Sequence, residues 1–151
     1  MERKFILLVE DNPDDELLTM RALRTSQVAN DIVVARDGAE ALDFLFGSGP
    51  YDGRDTEQVP ELILLDLKLP KLDGLEVLQR IRSDKRTCHL PVVVLTSSDE
   101  EIDIIESYSR GANSYIRKPV DFDQFIESVK QLKLYWLVLN VPPPKGKRVM
   151  R

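Results

Sequence analysis

Five short apolar runs alternate with longer amphipathic stretches along this chain. The runs occupy residues 5–9, 32–35, 62–65, 92–95 and 114–117. Runs of this length predict strands that are buried on both faces, whereas apolar residues three or four positions apart predict amphipathic helices. Because the two patterns alternate, we predict an α/β domain in which a five-stranded parallel sheet carries helices on both faces.

The segments between the runs carry the signals expected at helix ends. Asn12 can cap the first helix, and Pro13 suits its first position. The buried stripe of this helix is predicted to consist of Leu17, Met20 and Leu23. Polar residues at 96–99 can cap the fourth helix, whose apolar residues recur at helical spacing and are Ile102, Ile105 and Tyr108.

Two segments depart from this regular alternation. Residues 47–60 are rich in Gly, Pro, Asp and Ser, and they predict an exposed loop longer than the usual connection of about 2–6 residues. The last helix is predicted to begin near Asp121, and its apolar pattern broadens over residues 134–139. Prolines follow, so we predict one domain over residues 4–139 and a Pro-rich, basic tail over residues 140–151.

Composition narrows the class of protein. The 151 residues fit one domain, and a formal net charge of −5, with acids scattered through loops and helix starts, argues against direct DNA binding. The single cysteine, Cys88, excludes an internal disulfide framework and suits a reducing cytoplasm. The first apolar run is too short for a secretory signal, and no stretch approaches the ~20 residues of a membrane span.

The polar residues that follow four of the runs carry the candidate chemistry. They are Glu10 and Asp11 after the first run, Asp66 after the third, Thr96 after the fourth and Lys118 after the fifth. Parallel strands open at one edge of the sheet, so these residues should converge. Carboxylates 4 Å apart repel by about 4 kcal/mol at an effective dielectric constant of about 20, so a multivalent cation and a lysine are needed. The pattern predicts a site for Mg²⁺ and a phosphoryl group.

The same residues, taken in order, resemble the receiver domain of two-component response regulators. The shared motifs are Glu10 and Asp11, Asp66 with Leu69, Pro70, Asp73 and Gly74, Thr96 with Ser97, and Lys118 with Pro119. The match runs in one register from about Lys4 to Leu139. The resemblance implies a flavodoxin-like (CheY-like), doubly wound sheet of strand order 2-1-3-4-5, with five helices and, here, a C-terminal extension.

The resemblance also implies a role for each residue. Asp66 would accept a phosphoryl group from a phosphohistidine on a sensor histidine kinase, and Lys118 would pair with a phosphoryl oxygen. Glu10, Asp11, Asp66 and the backbone carbonyl of Lys68 would hold Mg²⁺. Glu10 stands where many receivers have an aspartate, so Asp11 is the better candidate for a direct ligand. Such a protein is a phosphoacceptor that catalyses its own phosphorylation and dephosphorylation, not an enzyme acting on a separate substrate.

Further implications concern signalling. In the family, Thr96 would move toward the phosphoryl group and the Tyr115 ring would turn inward, which changes the face formed by the fourth helix, fifth strand and fifth helix. The residues at 68 and 98 would tune the lifetime of the acyl phosphate, and the peptide before Pro119 would be cis.

The protein is expected to signal by binding another protein, because the sequence offers no DNA-binding or catalytic domain beyond the receiver. Tyr135, Trp136 and Leu139 extend the apolar end of the last helix, and we predict a homodimer through the fourth and fifth helices and this extension. The alternative is that these residues pack on their own domain. The long loop, the acidic helix start and the aromatic extension also resemble the small response regulators that serve cyanobacterial and bacterial phytochrome kinases.

Three other classes share parts of this pattern. A haloacid dehalogenase-type phosphatase would need a second aspartate where Lys68 stands, and it would turn over a phosphate ester. A flavodoxin-like FMN carrier would have a Ser-, Thr- and Gly-rich first loop in place of this acidic one, and it would be coloured. A phosphorylation-independent binding module would need none of the site residues.

Overall fold

All five predicted strands are present and form one parallel sheet. The computed structural model describes residues 4–97, 100–118, 122–141 and 143. The strands are β1 (Phe5–Val9), β2 (Asp31–Ala35), β3 (Leu62–Leu65), β4 (Val92–Thr96) and β5 (Ser114–Arg117). Their order across the sheet is β2-β1-β3-β4-β5, which confirms the predicted topology.

Five α-helices connect and follow the strands. They are α1 (Pro13–Thr25), α2 (Gly38–Phe46), α3 (Gly74–Ser83), α4 (Glu101–Ser109) and α5 (Phe122–Leu132), and a π-helical segment (Lys133–Leu139) continues from α5. Helices α1 and α5 pack on one face of the sheet, and α2 and α3 pack on the other. Helix α4 contacts α3 and β5. No helix in these described ranges is long and apolar enough to cross a membrane.

The central strand β1 shows why the apolar runs are continuous. Ile6 and Leu8 pack into the cluster formed with α1 and α5, whereas Phe5, Leu7 and Val9 pack into the cluster formed with α2 and α3. Side chains alternate between faces along a strand, and both faces are covered by helices. A strand of this kind therefore needs an apolar residue at every position.

Helix α1 begins as predicted, but its buried stripe differs. The Asn12 side chain accepts hydrogen bonds from the backbone N–H groups of residues 14 and 15. The prediction that Leu17 is buried was wrong, because its exposed fraction is 62%. Leu23 is buried as predicted and Met20 is partly buried, and the other buried residues of the helix are Thr19 and Ala22. Leu17 lies two positions before Thr19, about 200° around the helix, and so points away from the sheet.

The apolar residues of α4 keep helical spacing but form an exposed stripe. Ile102, Ile105 and Tyr108 are 57%, 51% and 50% exposed, and the buried residue of the helix is Ser107. Glu100 occupies the N-cap position without a side-chain capping bond. Of the polar residues proposed to cap α4, those at 98 and 99 lie outside the described part of the chain.

The loop over residues 47–60 is tied to α2 by Arg54. Its guanidinium lies 4.1 Å from the centre of the Phe44 ring, and its Nε donates to the Phe44 carbonyl at 2.6 Å. The Tyr51 ring meets the same phenylalanine edge to face. The loop is thus partly buried, although most of its residues are exposed as predicted.

One part of the C-terminal extension packs on its own domain, and another part is exposed to solvent. Trp136 and Leu137 are partly buried and pack against the cluster formed with α1 and α5. Leu134 and Tyr135 remain about half exposed, at 51% and 52%. Several predicted features fall outside the described part of the structure: the side chain of Leu139, Pro119 and with it the predicted cis peptide, Asp121 and most of the basic tail.

Arg82 joins several loops at the edge of the sheet where the strands begin, opposite the edge that carries the candidate site residues. The guanidinium of Arg82, near the end of α3, donates to the backbone carbonyls of Gly111, Cys88 and Leu90 at 2.9, 3.1 and 2.7 Å and to the Asn113 side chain at 2.8 Å. Arg82 therefore fixes the loops that precede β4 and β5 relative to α3, and the sequence analysis did not single it out.

Candidate functional site

The polar residues predicted at the strand ends are brought together at the carboxyl edge of the sheet. Glu10, Asp66 and Thr96 are 1%, 6% and 0% exposed, and the Lys118 side chain is 7% exposed. Asp11 lies at the open side of the site and is exposed. Charged groups are rarely buried to this degree unless they are paired, so the pairing within the site must be specific.

The Lys118 ammonium group lies at the centre of the carboxylates. Its Nζ donates to Glu10 Oε1, to Asp66 Oδ2 at 3.0 Å and to Asp15 Oδ2 at 3.0 Å. The backbone N–H of Lys118 also donates to the Thr96 carbonyl at 2.7 Å, which continues the pairing of β5 with β4 beyond the strands. This backbone bond carries Lys118 past the edge of the sheet and lets its side chain reach back across β4 to β3.

Backbone donors hold the second oxygens of the two buried carboxyl groups. The N–H of Lys68 donates to Asp66 Oδ1 at 3.2 Å, and the N–H of Asn12 donates to Glu10 Oε2 at 3.3 Å. The turn after Asp66 requires Gly74, because a Cβ there would lie 2.2 Å from the Asp66 carbonyl oxygen. The glycine of the sequence motif thus lets α3 begin directly against the strand that carries Asp66.

The burial and pairing of these groups separate their pKa values. Burial is the main cause that raises the pKa of Glu10 to about 7, and the nearby Asp66 carboxyl adds to it. Burial alone would also raise the pKa of Asp66, but hydrogen bonds from Glu10 and Lys118 and the lysine charge together lower it. Asp66 is therefore the ionised member of the pair, which is the form needed for a nucleophile or a metal ligand.

The same contacts keep Lys118 charged. Burial lowers the pKa of an ammonium group, but the hydrogen bonds with Glu10, Asp15 and Asp66 and the Asp66 charge outweigh it and raise the pKa of Lys118. A permanently protonated lysine in the centre of the site can pair with an incoming anion without waiting for a proton.

The carboxyl groups fit a divalent cation. Ligand oxygens of Glu10, Asp11 and Asp66 all lie within 4.8 Å of one another. With Asp15, the described part of the site holds four carboxyl groups and the one ammonium group of Lys118, which contacts three of them, so the carboxyl groups outnumber the positive charge. Hard oxygen donors with one side open to solvent suit a cation of the Mg²⁺ or Mn²⁺ type, which retains several waters.

The raised pKa of Glu10 predicts a pH dependence for the metal-free protein. Between 4.5, its ordinary pKa, and about 7, the folded state binds more protons at this group than the unfolded chain does. The contribution of Glu10 to the free energy of unfolding is thus fully present below its ordinary pKa and is lost as the pH rises through about 7. With a chelator present, we expect Glu10→Gln to be more stable than wild type by about 1–3 kcal/mol near pH 8 and nearly equal near pH 5. Urea denaturation at the two pH values measures this, and a difference independent of pH would contradict it.

The two residues predicted to form the switch lie on neighbouring strands. Thr96 ends β4 and is fully buried. Tyr115 pairs in register with Val94, is partly buried and packs against the cluster formed with α2 and α3. Thr96 therefore lies at the carboxyl edge of the sheet and Tyr115 one strand further out, and their motion stays a prediction. Lys68 is exposed beside Asp66, and Ser98 lies outside the described residues.

One contact at the site was missed by the sequence interpretation. Asp15 was read as one of several acids that favour a helix N-terminus, yet its carboxylate bonds to Lys118. The signal was available: only three residues separate the end of β1 from the start of α1, so the first turn of α1 stands over the carboxyl edge of the sheet.

Comparison with known proteins agrees with this geometry. The family described as "Response regulator receiver domain" matches residues 6–130. The probable methanogenesis regulatory protein FilR2 of Methanothrix harundinacea is 42% identical over 91% of this chain and 86% of its own. The crystal structure of the phosphorylated cyanobacterial phytochrome response regulator RcpA is 43% identical, covers 95% of this chain and 100% of its own, and superposes with a TM-score of 0.85.

A third similar protein was solved with a metal. The Mn²⁺-bound form of response regulator Rcp1 is 39% identical and covers 93% of this chain and 99% of its own, with a TM-score of 0.83. Response regulator Rcp1 is from Synechocystis. The buried acidic site, the strand order and these similarities lead to one conclusion: the chain belongs to the response regulator receiver domain family.

Proposed function

We propose that this protein accepts a phosphoryl group on Asp66 from a sensor histidine kinase in a Mg²⁺-dependent reaction in the cytoplasm. The observation that carries the proposal is the buried, ionised Asp66 carboxylate held between the Lys118 ammonium and the Lys68 N–H, beside two further carboxyl groups. A nucleophile, a fixed positive charge and a cation site within one pocket are the parts that phosphoryl transfer requires.

Each side chain has a distinct task in the proposed reaction. An Asp66 oxygen attacks the phosphorus of a phosphohistidine; the P–O bond forms as the P–N bond breaks, and the electron pair of that bond stays on the imidazole nitrogen. Lys118 exchanges one of its carboxylate bonds for one to a phosphoryl oxygen. Glu10, Asp11, Asp66 and the Lys68 carbonyl would hold Mg²⁺, which when bound neutralises charge on the phosphoryl oxygens.

The signal would follow from charge added at Asp66. A phosphoryl group brings about −1.5 to −2 charges to a buried site, and the Thr96 hydroxyl is the uncharged polar group at the adjacent strand end. We propose that Thr96 donates to the phosphoryl group and that Tyr115, one strand further out, changes its packing in response. The surface that carries the signal is then α4, β5 and α5.

A homodimer through this surface is the proposed output. Support comes from the exposed stripe on α4 and from Tyr135, whose side chain stands out from the extension next to Trp136. Trp136 itself packs partly on its own domain, so the extension supplies less free surface than the sequence interpretation assumed.

Replacing one residue of the α4 stripe tests the dimer. Ile105→Glu places a charge in the middle of the proposed interface, and we expect this variant to elute as a monomer at concentrations at which the wild-type protein is a dimer. Leu17→Glu is the matched control, because Leu17 is equally apolar and more exposed but lies on α1. Size-exclusion chromatography with light scattering measures both. A wild-type monomer, or a dimer unaffected by Ile105→Glu, would end this proposal.

The kinase that serves this protein is proposed to be a phytochrome, which would make the signal light-dependent. Support comes from the similarity to RcpA, a cyanobacterial phytochrome response regulator, whereas the similar FilR2 is a probable methanogenesis regulatory protein. A labelled phytochrome kinase incubated with this protein and Mg²⁺ should lose its phosphoryl group to the protein within minutes, and a chelator should stop the transfer. Transfer from an unrelated histidine kinase at the same rate would remove the phytochrome assignment, and no transfer from either would count against the whole proposal.

A further inference from the structure

Asp15 differs from the other acids of the site in position. Its carboxylate reaches Lys118 Nζ at 3.0 Å from α1, whereas Glu10 and Asp66 reach it from the sheet. The Asn12 side chain accepts a hydrogen bond from the Asp15 N–H at 3.1 Å, which fixes the backbone of Asp15 in the first turn. Its side chain is 36% exposed, so this carboxylate stands at the mouth of the site.

We propose that Asp15 is a positioning residue that holds Lys118 in the unphosphorylated state and competes with the phosphoryl group for it. The proposal rests on the proposed function of Asp66 as phosphoacceptor. Through Lys118, Asp15 would set how readily the site accepts a phosphoryl group.

The Lys118 ammonium group has a limited number of hydrogen-bond donors. Lys118 has three N–H donors, and the three carboxyl groups it contacts can occupy all of them. A phosphoryl oxygen can bond to Lys118 only if one of these contacts is given up. Glu10 and Asp66 are also the proposed cation ligands, so a bound cation satisfies their charge when the lysine leaves them. No cation takes the place of Lys118 at Asp15, because Asp15 is not one of the carboxyl groups that lie close enough together to hold a metal ion.

The negative charge of Asp15 also disfavours a phosphoryl group bound in the pocket. An anionic phosphoryl group that enters the pocket approaches a carboxylate already paired with the lysine it needs. Neutralising this carboxylate should therefore favour the bound anion. Because Asp15 is partly exposed, solvent screens the effect, and a modest change is expected.

The test compares two substitutions in one helical turn. Asp15→Asn removes the carboxylate that contacts Lys118, and Asp14→Asn removes the same charge from a neighbouring exposed residue whose side chain has no contact with Lys118 among the described ones. The probe is beryllofluoride, a phosphoryl mimic, titrated at saturating Mg²⁺. We expect Asp15→Asn to bind it about three- to fivefold more tightly than wild type, and Asp14→Asn to match wild type.

A separate Mg²⁺ titration without beryllofluoride distinguishes positioning from a general effect of charge. The proposal expects the Mg²⁺ affinity of Asp15→Asn to stay within about twofold of the Asp14→Asn value. The proposal is overturned if the two variants bind beryllofluoride equally, or if Asp15→Asn binds it more weakly than wild type. Should wild type itself fail to bind beryllofluoride, the proposed phosphoacceptor function fails with it, whereas normal wild-type binding confines the failure to the role of Asp15.

Discussion

Asp66→Asn should lose phosphoryl incorporation from acetyl phosphate and Mg²⁺ by a factor on the order of 100 or more. The amide keeps the shape of the side chain, and its one oxygen can still accept a hydrogen bond from either the Lys68 N–H or Lys118, so the fold should survive. The amide oxygen is, however, a poor nucleophile, and no other carboxyl group is held between the same two donors. Incorporation of labelled phosphoryl groups that are stable in acid and labile in base measures the effect.

Asp73→Asn is the matched control for this loss. Asp73 lies in the same segment between β3 and α3, where its side chain accepts the Glu76 N–H at 2.9 Å and caps α3. Asparagine caps helices about as well as aspartate. Wild-type labelling is therefore expected for Asp73→Asn, and wild-type labelling of Asp66→Asn would show that another residue is the acceptor.

Lys118→Met should lower the free energy of unfolding by about 2–4 kcal/mol at neutral pH in the absence of divalent cations. The substitution removes the one ammonium group from a pocket in which Glu10 and Asp66 are almost fully buried. Uptake of a proton by the carboxyl pair relieves part of the repulsion. Saturating Mg²⁺ should restore much of the stability, because a cation replaces the missing charge, while phosphoryl incorporation should remain low.

Lys130→Met provides the comparison for that stability change. Lys130 is a surface residue of α5 whose ion pair with Glu127 spans 3.9 Å, and an exposed pair of this kind contributes about 0–1 kcal/mol. Urea denaturation of the three proteins, with chelator and with Mg²⁺, makes the measurement. A stability loss in Lys118→Met that Mg²⁺ does not reduce would contradict the proposed arrangement of cation and lysine.

The sheet could be predicted from the sequence because its strands are covered on both faces. Strands such as β1 and β3 are apolar at every position, and this leaves a strong signal in the sequence. The buried face of a helix is harder to predict, because only one stripe of residues is buried and helical spacing alone does not say which stripe it is. In α1 the apolar Leu17 is exposed while Thr19 is buried, because the small and polar residues lie closest to the sheet.

The site was predictable to the extent that its residues follow strands. Parallel strands place Glu10, Asp66, Thr96 and Lys118 at one edge whatever the details of the loops. The roles of Asp15 and Arg82 depend on side chains that cross between elements distant in the sequence, 103 residues apart for Asp15 and Lys118. Neither belongs to the motif. The short connection from β1 to α1 places Asp15 over the carboxyl edge of the sheet, but the spacing does not say which side chain it contacts there.

The most direct test of the central claim is to locate the phosphoryl group. The wild-type protein is phosphorylated with acetyl phosphate and Mg²⁺, the acyl phosphate is reduced with borohydride, and the peptides are sequenced by mass spectrometry. Reduction of an aspartyl phosphate converts that residue to homoserine. We expect homoserine at position 66 alone, and only when Mg²⁺ was present. Homoserine at another position, or none under conditions that label the protein, would contradict the assignment of Asp66 as the acceptor.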